Sequence, residues 1–384
     1  MFVFSKTRRR SPSGGARMGR QLDERFCRDG QSPRFVRGFL GDYALDNTDA
    51  LVQIMTMAEQ HTIIPSGSNP QGELTLVQIA QRFSTEEAAR EYFEKLRWPS
   101  GPVCPHCGNA DQDRIYKVTP NPEKKIRAGL YKCAECLQGF TVTVGTVCED
   151  SHIPLAKWLI GFYMMCASKT QVSALQLQRQ LEIGSYRSAW FMCRRIRFAL
   201  QDIFQADKLD GIVAADETYV RGKKRGMGRA YKGNKTAVVS LIERDGRVRS
   251  RLAPKVTGDA LGRRLKEHVA ETARFNTDES AVYTKIGNSF ASHDTVNHSE
   301  EEYARRETSG RQVTTNTAEG FFGSSKRSLD GTHHHVSGKH LPLYLAELDY
   351  KYNTREETDG ARTALGIPKI VGKRLMLRRP TDWS

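Results

Sequence analysis

Two Cys-x-x-Cys pairs constrain the fold of this chain more than any other feature of its sequence. Cys104 and Cys107 form the first pair, Cys133 and Cys136 form the second, and 25 residues separate the pairs. Two such tight turns supply the closed tetrahedral shell of four sulfurs that Zn²⁺ prefers. A redox dithiol or unpaired thiols are the alternatives. Because four cysteines leave no coordination position for water, we expect a structural zinc ribbon and not a catalytic metal.

The segments around the cysteines predict the secondary structure of residues 76–150. The stretch FSTEEAAREYFEKLRWP, residues 83–99, predicts a helix with Ser84 as its N-cap and Glu87 three residues later. The stretch GFTVTVGTV, residues 139–147, alternates apolar and polar residues and predicts a strand. We therefore expect a lead helix followed by the zinc ribbon.

Length and charge limit the classes of protein to which the chain can belong. A chain of 384 residues is too long for one ordinary core, so several domains are expected. The net charge of +15 favours a polyanionic partner, nucleic acid above all, although a solvated basic surface is the alternative. The longest nearly apolar run, residues 158–167, is about half as long as a membrane span. Residues 1–75 carry the loop signals SPSGG and PSGSNPQG and no secretory signal, so we expect a flexible basic extension in a cytoplasmic protein.

Residues 151–207 show helical periodicity. A helix is predicted from Pro154 onward, and two shorter helical patterns follow it, separated by a turn at Gly184 and Ser185. This order fits a helix-turn-helix that enters a DNA major groove, with a helical hairpin packing its own core as the alternative. We assign four arginines of the last helix to DNA: Arg187, Arg194, Arg195 and Arg197.

Residues 208–356 change to a mixed pattern. Three strands are predicted at 211–220, 235–244 and 246–256, the last two joined by the hairpin signal Asp245-Gly246. Helices follow over residues 262–273, around 318–329 and over 341–356, and the order predicts a mixed α/β domain. Residues 357–384 are expected to form a basic C-terminal tail.

Two aspartates stand at the ends of predicted strands. Asp216 closes the apolar run IVAAD and precedes the most basic loop of the chain, in which Lys223, Lys224 and Arg225 are candidate DNA contacts. Asp278 ends a similar segment 62 residues later. Surface turn acids are the alternative. With a third oxygen ligand, the two carboxylates would hold Mg²⁺, and two such ions would clamp an in-line phosphoryl displacement.

Two residues compete for the place of the third ligand. Asn316 and Glu319 both lie in TTNTAEGFFGSSKR, and Lys326 follows Glu319 by seven residues, about 20° from the same helix face. A lysine there would reach a DNA phosphate. The pair Asn316-x-x-Glu319 also fits a capping box that only satisfies the start of a helix. The stretch THHHVSGKH, residues 332–340, is expected to be an exposed or DNA-contacting loop, because three consecutive histidines cannot all face one ion.

The order of the short motifs resembles a known family. RWP, CPHCG, YKCAECLQGFTVTVGTV, ADETYVRGK, TDES, TTNTAEGFFGSSKRSLDGTHHHVSGKHLPLYL and KYNTRE occur in the order typical of bacterial insertion-sequence transposases of the ISXO type. The resemblance covers about residues 80 to 356. It implies an RNase H-like catalytic core, cleavage at the terminal inverted repeats of an element, and strand transfer into target DNA, with two Mg²⁺ ions or Mn²⁺ in their place.

The resemblance also implies roles for single residues. Asp216 matches the first acid of the DDE-like set, Asp278 the second, and Asn316 and Lys326 the last two members where the set is written DDNK. Glu319 stands where a DDE set has its glutamate, so either Asn316 or Glu319 is the third metal ligand. The match favours catalysis over capping for this pair.

These observations predict a multidomain α+β protein with a zinc ribbon, a helix-turn-helix-like region and an RNase H-like mixed α/β catalytic domain. We expect a DNA transposase that binds double-stranded element ends and target DNA as a homo-oligomer, associated with the bacterial nucleoid and not with a membrane. The alternative is a zinc-ribbon DNA-binding regulator or a transposase derivative without catalysis. A pure DNA-binding protein would not need Asp216 and Asp278 beside a basic loop.

Overall fold

The computed structural model of the protein describes residues 75–202, 207–220, 236–253, 258–297, 300, 304–306 and 312–376. The extension predicted before Thr75 lies outside the described residues. The helices are α1 (Leu76–Arg82), α2 (Glu86–Arg97), α3 (Leu155–Ala167), α4 (Ala174–Gln180), α5 (Tyr186–Leu200), α6 (Gly258–His268), α7 (Ala281–Gly287), α8 (Asn316–His333), α9 (Leu341–Asn353) and α10 (Asp359–Gly366). The strands are β1 (Ile115–Lys117), β2 (Tyr131–Cys133), β3 (Gly139–Phe140), β4 (Ile212–Val220), β5 (Thr236–Glu243), β6 (Val248–Ala253), β7 (Arg274–Asp278), β8 (Ser292–Val296), β9 (Ala304–Arg306) and β10 (Gln312–Thr314). None of the described helices combines the length and apolar character needed to cross a bilayer.

The lead helix α2 begins one residue later than the sequence predicts. Thr85, and not Ser84, is its N-cap, and the Thr85 hydroxyl accepts a hydrogen bond from the amide of Ala88 at 3.2 Å. Glu86 is therefore the first helical residue, and its carboxylate accepts the amide of Leu155 at 3.0 Å. Glu86 therefore satisfies a backbone donor at the start of α3 and joins the two helices.

The ribbon is a three-stranded antiparallel sheet in the order β1-β2-β3. The strand predicted over residues 139–147 is wrong beyond Phe140, because the following threonines bind their own backbone. The Thr146 hydroxyl donates to the carbonyl of Thr143 at 2.6 Å, and Gly145 adopts a positive φ of 72°. Such local bonds compete with a strand ladder and favour turns.

One hydrophobic core contains the ribbon and the helices that follow it. It includes Phe93 of α2, Phe140 of the ribbon and Trp158 of α3. Nine of the 13 residues of α3 are buried, so this helix lies inside the core and not on its surface. Part of the segment assigned to a basic tail joins the same core: α10 packs on α3, and Ile367 and Ile370 are buried.

The second half of the chain is built on a five-stranded sheet in the order β6-β5-β4-β7-β8. Strand β5 is antiparallel to both of its neighbours, β4 and β6, whereas β7 is parallel to β4 and to β8. The three predicted strands and their hairpin are confirmed, with Asp245 at a positive φ of 58°. The helix predicted over 262–273 runs over Gly258–His268 instead, because the next residues bind Leu209: its N–H donates to the His268 carbonyl and its carbonyl accepts from the Ala270 N–H, both at 2.8 Å.

Helices cover both faces of this sheet. Leu261 and Leu265 of α6 and Tyr283 of α7 pack with Val213 and Phe275 on one face. The second face packs on the long helices α8 and α9 through a cluster that includes Val238, Ile242, Ala318, Phe321 and Leu345.

The edge strand β6 is closed by side chains of α9. The Asn353 amide accepts from the Val248 N–H at 2.7 Å and donates to the Val248 carbonyl at 3.1 Å. The Asp349 carboxylate accepts from the Ser250 N–H at 2.8 Å. Because these side chains take the place of a neighbouring strand, they block edge-to-edge pairing and fix α9 to the sheet.

Candidate active site and metal centre

The four predicted zinc ligands lie together. The Sγ atoms of Cys104 and Cys136 are 3.6 Å apart, those of Cys107 and Cys133 are 3.7 Å apart, and all four lie within 4.8 Å of one another. Four sulfurs at about 2.3 Å from a tetrahedral Zn²⁺ would be about 3.8 Å apart, whereas a disulfide needs about 2.05 Å. The spacing therefore fits a closed four-thiolate zinc site and not a disulfide.

Asn109, which no motif of the sequence marked, supports this cluster. Its side-chain amide lies 3.7 Å from the Sγ atom of Cys133, at hydrogen-bonding distance for sulfur. Such an outer contact orients a thiolate and partly neutralises its charge. The position of Asn109 two residues after the first Cys-x-x-Cys pair is the signal that would have identified it.

Asp216 and Asp278 occupy equivalent positions on neighbouring parallel strands. The pairing of β4 with β7 joins Ile212 to Arg274 and Ala214 to Asn276. This pairing ends at Ala214 and Asn276, and the same offset of 62 residues, carried two residues farther, sets Asp216 level with Asp278. Because residues at one register of adjacent parallel strands project on the same face, the two carboxylates are neighbours.

The surroundings of Asp216 are rich in negative charge. Burial is the main cause that raises its pKa, to about 6, and the carboxylates of Asp278, Glu217 and Glu319 add to the effect. The Glu217 N–H opposes the shift by donating to the Asp216 Oδ1 at 2.7 Å. A divalent cation would relieve this charge, and oxygen donors of this kind are the ligands that Mg²⁺ takes, so the residues fit the ion.

The first turn of α8 carries Asn316 and Glu319 on the same side of the sheet as Asp216. The N-cap of α8 is Thr315, which makes no side-chain capping bond, and Asn316 is the first helical residue. Glu319 is therefore the fourth residue of the helix, one position beyond that of a capping box. The capping interpretation of this pair is wrong, and both side chains stay candidates for the third ligand. Lys326 is exposed two turns farther along the helix.

The acids are neighbours, but their oxygens do not converge on one point. Among the His, Cys, Asp and Glu side chains of the described residues, three or more ligand atoms come within 4.8 Å of one another only at the four cysteines. Asp278 directs its Oδ1 to the amide of Ser280 at 3.2 Å. Holding one ion would therefore require side-chain rotation.

The arginines assigned to DNA on α5 divide into two groups. Arg187 is exposed, and Arg194 is half-buried with its guanidinium over the ring of Trp190. Arg195 and Arg197 are buried, and the assignment of these two to DNA is corrected: Arg195 donates to the carbonyl of Leu375 at 3.2 Å, and Arg197 to Glu347 at 2.7 Å. Their partners lie about 150 residues or more along the chain, so the local sequence could not show them. Lys223, Lys224 and Arg225 lie outside the described residues.

A row of buried polar groups that was not predicted from the sequence extends from Asp216 across the sheet. Ser240 pairs with Asp216 on one side and with Ser250 on the other. The two serine hydroxyls are 2.8 Å apart, and the Ser250 N–H donates to Asp349 at 2.8 Å. A serine at an inward position of each of two apolar strands was the available signal.

Tyr283 fixes the opposite face of the same strand end. It is fully buried, and its hydroxyl donates to the carboxylate of Glu217. Burial raises the pKa of Glu217, and the bond from Tyr283 acts in the opposite direction. Because Glu217 follows Asp216 directly, this bond restrains the backbone that carries the first candidate ligand.

The histidine-rich stretch is exposed only in part. His334 and His335 are exposed, whereas His333 closes α8 and packs its ring against Tyr344 with 4.8 Å between ring centroids. Burial, with the charge of Arg197, lowers the pKa of His333 to about 4. His340 packs its ring against Trp190.

Comparison with known proteins relates both parts of the chain to transposases. A sequence profile of the ISXO2-like transposase domain matches residues 208–353, and one of the transposase zinc-ribbon domain matches residues 84–138. The two matches together cover more than half of the chain. The chain is also 26% identical over 286 residues to an uncharacterized protein in transposable element ISH50 of Halobacterium salinarum, a match that covers 68% of this chain and 89% of that protein.

Proposed function

The chain belongs to the ISXO2-like transposases, and from this membership we propose that it binds the terminal inverted repeats of an insertion sequence, cleaves them and transfers the strands to target DNA. The observation that carries the proposal is the equivalent position of Asp216 and Asp278 on adjacent parallel strands, with Glu319 close enough to raise the pKa of Asp216.

The topology supports an RNase H-like catalytic domain. Three antiparallel strands precede two parallel ones in the sheet order β6-β5-β4-β7-β8, and helices cover both faces. The two aspartates lie on the central strand β4 and on its parallel neighbour β7. A site at this level of parallel strands is where α/β folds commonly bind ligands.

In this proposal, different residues of the site bind the metal ions and position the DNA phosphate. Asp216 and Asp278 would hold two Mg²⁺ ions, or Mn²⁺, and Glu319 is our choice for the third ligand because its charge reaches Asp216. The ions, when bound, supply charge that stabilises the attacking and leaving oxygens of an in-line displacement. Lys326, exposed on the same helix, would position a DNA phosphate, and Asn316 is the alternative third ligand.

Recognition of DNA is assigned to the first half of the chain. Helices α4 and α5 would form the helix-turn-helix, with Arg187 and Arg194 as its DNA contacts. The zinc ribbon shares a core with these helices and would brace them. Pairing of two element ends requires at least two active sites, so we propose a homo-oligomer on chromosomal DNA in the bacterial cytoplasm.

Cleavage and strand transfer in vitro test the proposal directly. The substrate is a duplex that carries the inverted repeats flanking the coding region, with Mg²⁺, and the comparison is between wild type and Asp216→Asn. We expect nicking and strand transfer by the wild type only, with binding of the duplex retained in the variant. Binding without any nicking by the wild type would instead support a DNA-binding regulator or an inactive transposase derivative.

A further inference from the structure

A buried polar cluster joins the proposed recognition helix α5 to the proposed catalytic helix α8. Its members are Arg197, Glu347, Lys351, Gln171, Ser328 and Thr332. We propose that Glu347 and Gln171 are positioning residues that couple the position of α8 to the position of α5. DNA bound on α5 would then affect where Glu319 and Lys326 lie. The inference rests on the proposed function, but the first of its two tests, hydrogen exchange, does not depend on that function.

Glu347 is the centre of the cluster. Its side chain is 0% exposed, and its Oε2 accepts from the Arg197 Nε at 2.7 Å and from the Gln171 Nε2 at 3.0 Å. The Lys351 Nζ lies 3.0 Å from the Oε1. The cations Lys351 and Arg197 hold the pKa of Glu347 below its usual value in spite of its burial. The carboxylate is therefore charged and held from three directions.

Gln171 carries the connection to α8. Its backbone N–H donates to the Ser328 hydroxyl at 3.0 Å, and its carbonyl accepts from the Thr332 hydroxyl at 3.3 Å. Ser328 and Thr332 are one helical turn apart, so two successive turns of α8 bind the same residue. Gln171 is 2% exposed, and solvent does not compete for these bonds.

The segment between α3 and α4 is held by the same cations. Arg197 donates to the carbonyl of Val172 at 3.1 Å, and Lys351 donates to the carbonyl of Thr170 at 2.7 Å. Three consecutive residues of this segment thus bind α5, α9 and α8. A displacement of α5 that moves Arg197 would therefore shift Gln171, and the bonds from Gln171 would shift α8.

Stability alone is a poor reason for such a cluster. Buried ion pairs can often be replaced by apolar side chains of similar volume without loss of stability, and their attested use is to fix one arrangement of elements. Here the fixed element is α8, in which Glu319 lies nine residues, about 13 Å, from Ser328. A continuous helix transmits a shift of one end to the other, and misplacement of a reacting group by about 1 Å costs about 100-fold in rate.

The first experiment needs no DNA. We compare hydrogen exchange of the α8 amides in the wild type, in Arg197→Met and in Met192→Ala, a buried residue of the same helix outside the cluster. We expect Arg197→Met to speed exchange over residues 326–333 about tenfold or more, and Met192→Ala to leave this segment within about twofold of the wild type. Equal effects of the two variants on α8, or no effect of Arg197→Met, would overturn the coupling.

The second experiment separates positioning from folding. Ser328→Ala with Thr332→Val removes both bonds to Gln171 with little change in volume, and Thr363→Val is the control, since it removes a buried hydroxyl bond within α10. Affinity for the inverted-repeat duplex should stay within about twofold while cleavage at saturating duplex falls about 10- to 100-fold, with Thr363→Val unchanged. Retention of cleavage by the double variant overturns the positioning role. A wild type that never cleaves overturns the proposed function instead, and hydrogen exchange then decides the coupling.

Discussion

The carboxyl group of Asp216 keeps its proton to a higher pH than a free aspartic acid does, because it is partly buried among three other carboxylates. Asp278 lies at the end of β7, Glu319 lies in the first turn of α8, and Glu217 lies on the opposite face of the same strand as Asp216. The raised pKa of Asp216 thus depends on how the strands and α8 bring these carboxylates together. The third ligand can be identified by finding which side chain, Asn316 or Glu319, affects the pKa of Asp216.

We predict that Glu319→Gln lowers the cleavage rate about 100-fold or more, since a lost metal ligand costs several kcal/mol of transition-state stabilisation. Asn316→Ala should stay within about tenfold of the wild type. Both rates are measured at saturating duplex and Mg²⁺. In the metal-free protein, the same Glu319→Gln change should lower the pKa of Asp216, measured by NMR. The reverse order of the two rate losses would assign the ligand to Asn316.

Asp349 provides a pH-dependent test of the row of polar groups on the sheet. Burial raises its pKa to about 6, although the bond from Ser250 acts in the opposite direction. The folded state therefore binds a proton that the unfolded state has released above a pKa of 3.8. The stability contributed by the neutral group is fully present below that value and is lost as pH rises through about 6.

Asp349→Asn removes this titration and keeps a neutral side chain of similar shape. The free energy of unfolding of the wild type, relative to the variant, should fall by about 2 kcal/mol between pH 4 and pH 7. Urea denaturation at the two pH values measures the change, and the difference cancels the titration of the zinc ligands. A difference that is constant with pH would show that Asp349 titrates normally.

At the scale of elements, sequence patterns predicted those helices, strands and ligand clusters that are determined by residues close together in the chain. The three strands of the hairpin region, the helices α3, α4 and α5 and the cysteine cluster follow from periodicity, turn residues and ligand spacing. The strand that ends at Asp278 was also predicted, but its parallel pairing with β4 and β8 was not, because that pairing joins distant parts of the chain. The threonine-rich turn after Phe140 was missed because local hydroxyl bonds there replace the predicted strand. The burial of Arg197 depends on Glu347, which no local pattern contains.

The zinc ribbon is the element on which the first core depends. Trp98 packs edge-on against Tyr131 and Phe140, at 5.6 and 5.8 Å between ring centroids, on strands that carry or follow the cysteines. We predict that Cys133→Ser removes bound zinc, lowers the melting temperature by about 10 °C or more and changes the fluorescence of Trp98.

The matched control is Cys166→Ser, a buried thiol of α3 outside the cluster. It should retain one zinc per chain, measured by atomic absorption, whatever its effect on stability. Zinc retained by Cys133→Ser would show that the cluster is not a four-thiolate site. Zinc lost by both variants would mean that the metal depends on the fold of the core more than on the ligands.

At the scale of the whole molecule, the excess of positive charge does not itself locate the DNA. Of the four arginines that the sequence assigned to DNA on α5, Arg195 and Arg197 are buried, where they bind the carbonyl of Leu375 and the carboxylate of Glu347. Exposed arginines also occur away from the proposed interface, for example Arg274 at the far end of β7 from Asp278. The DNA-binding surface must therefore be found by the salt dependence of single variants and not by net charge.

Arg187→Ala and Arg274→Ala make this distinction. Each phosphate contact contributes about 0.9 to the slope of log affinity against log salt concentration. We predict that Arg187→Ala lowers this slope by about that amount for the inverted-repeat duplex, whereas Arg274→Ala leaves it unchanged. Fluorescence anisotropy over a range of salt concentrations measures both. A slope that Arg187→Ala leaves unchanged would place the DNA away from α5, and a smaller slope for Arg274→Ala alone would move it to the opposite end of the sheet from the candidate acids.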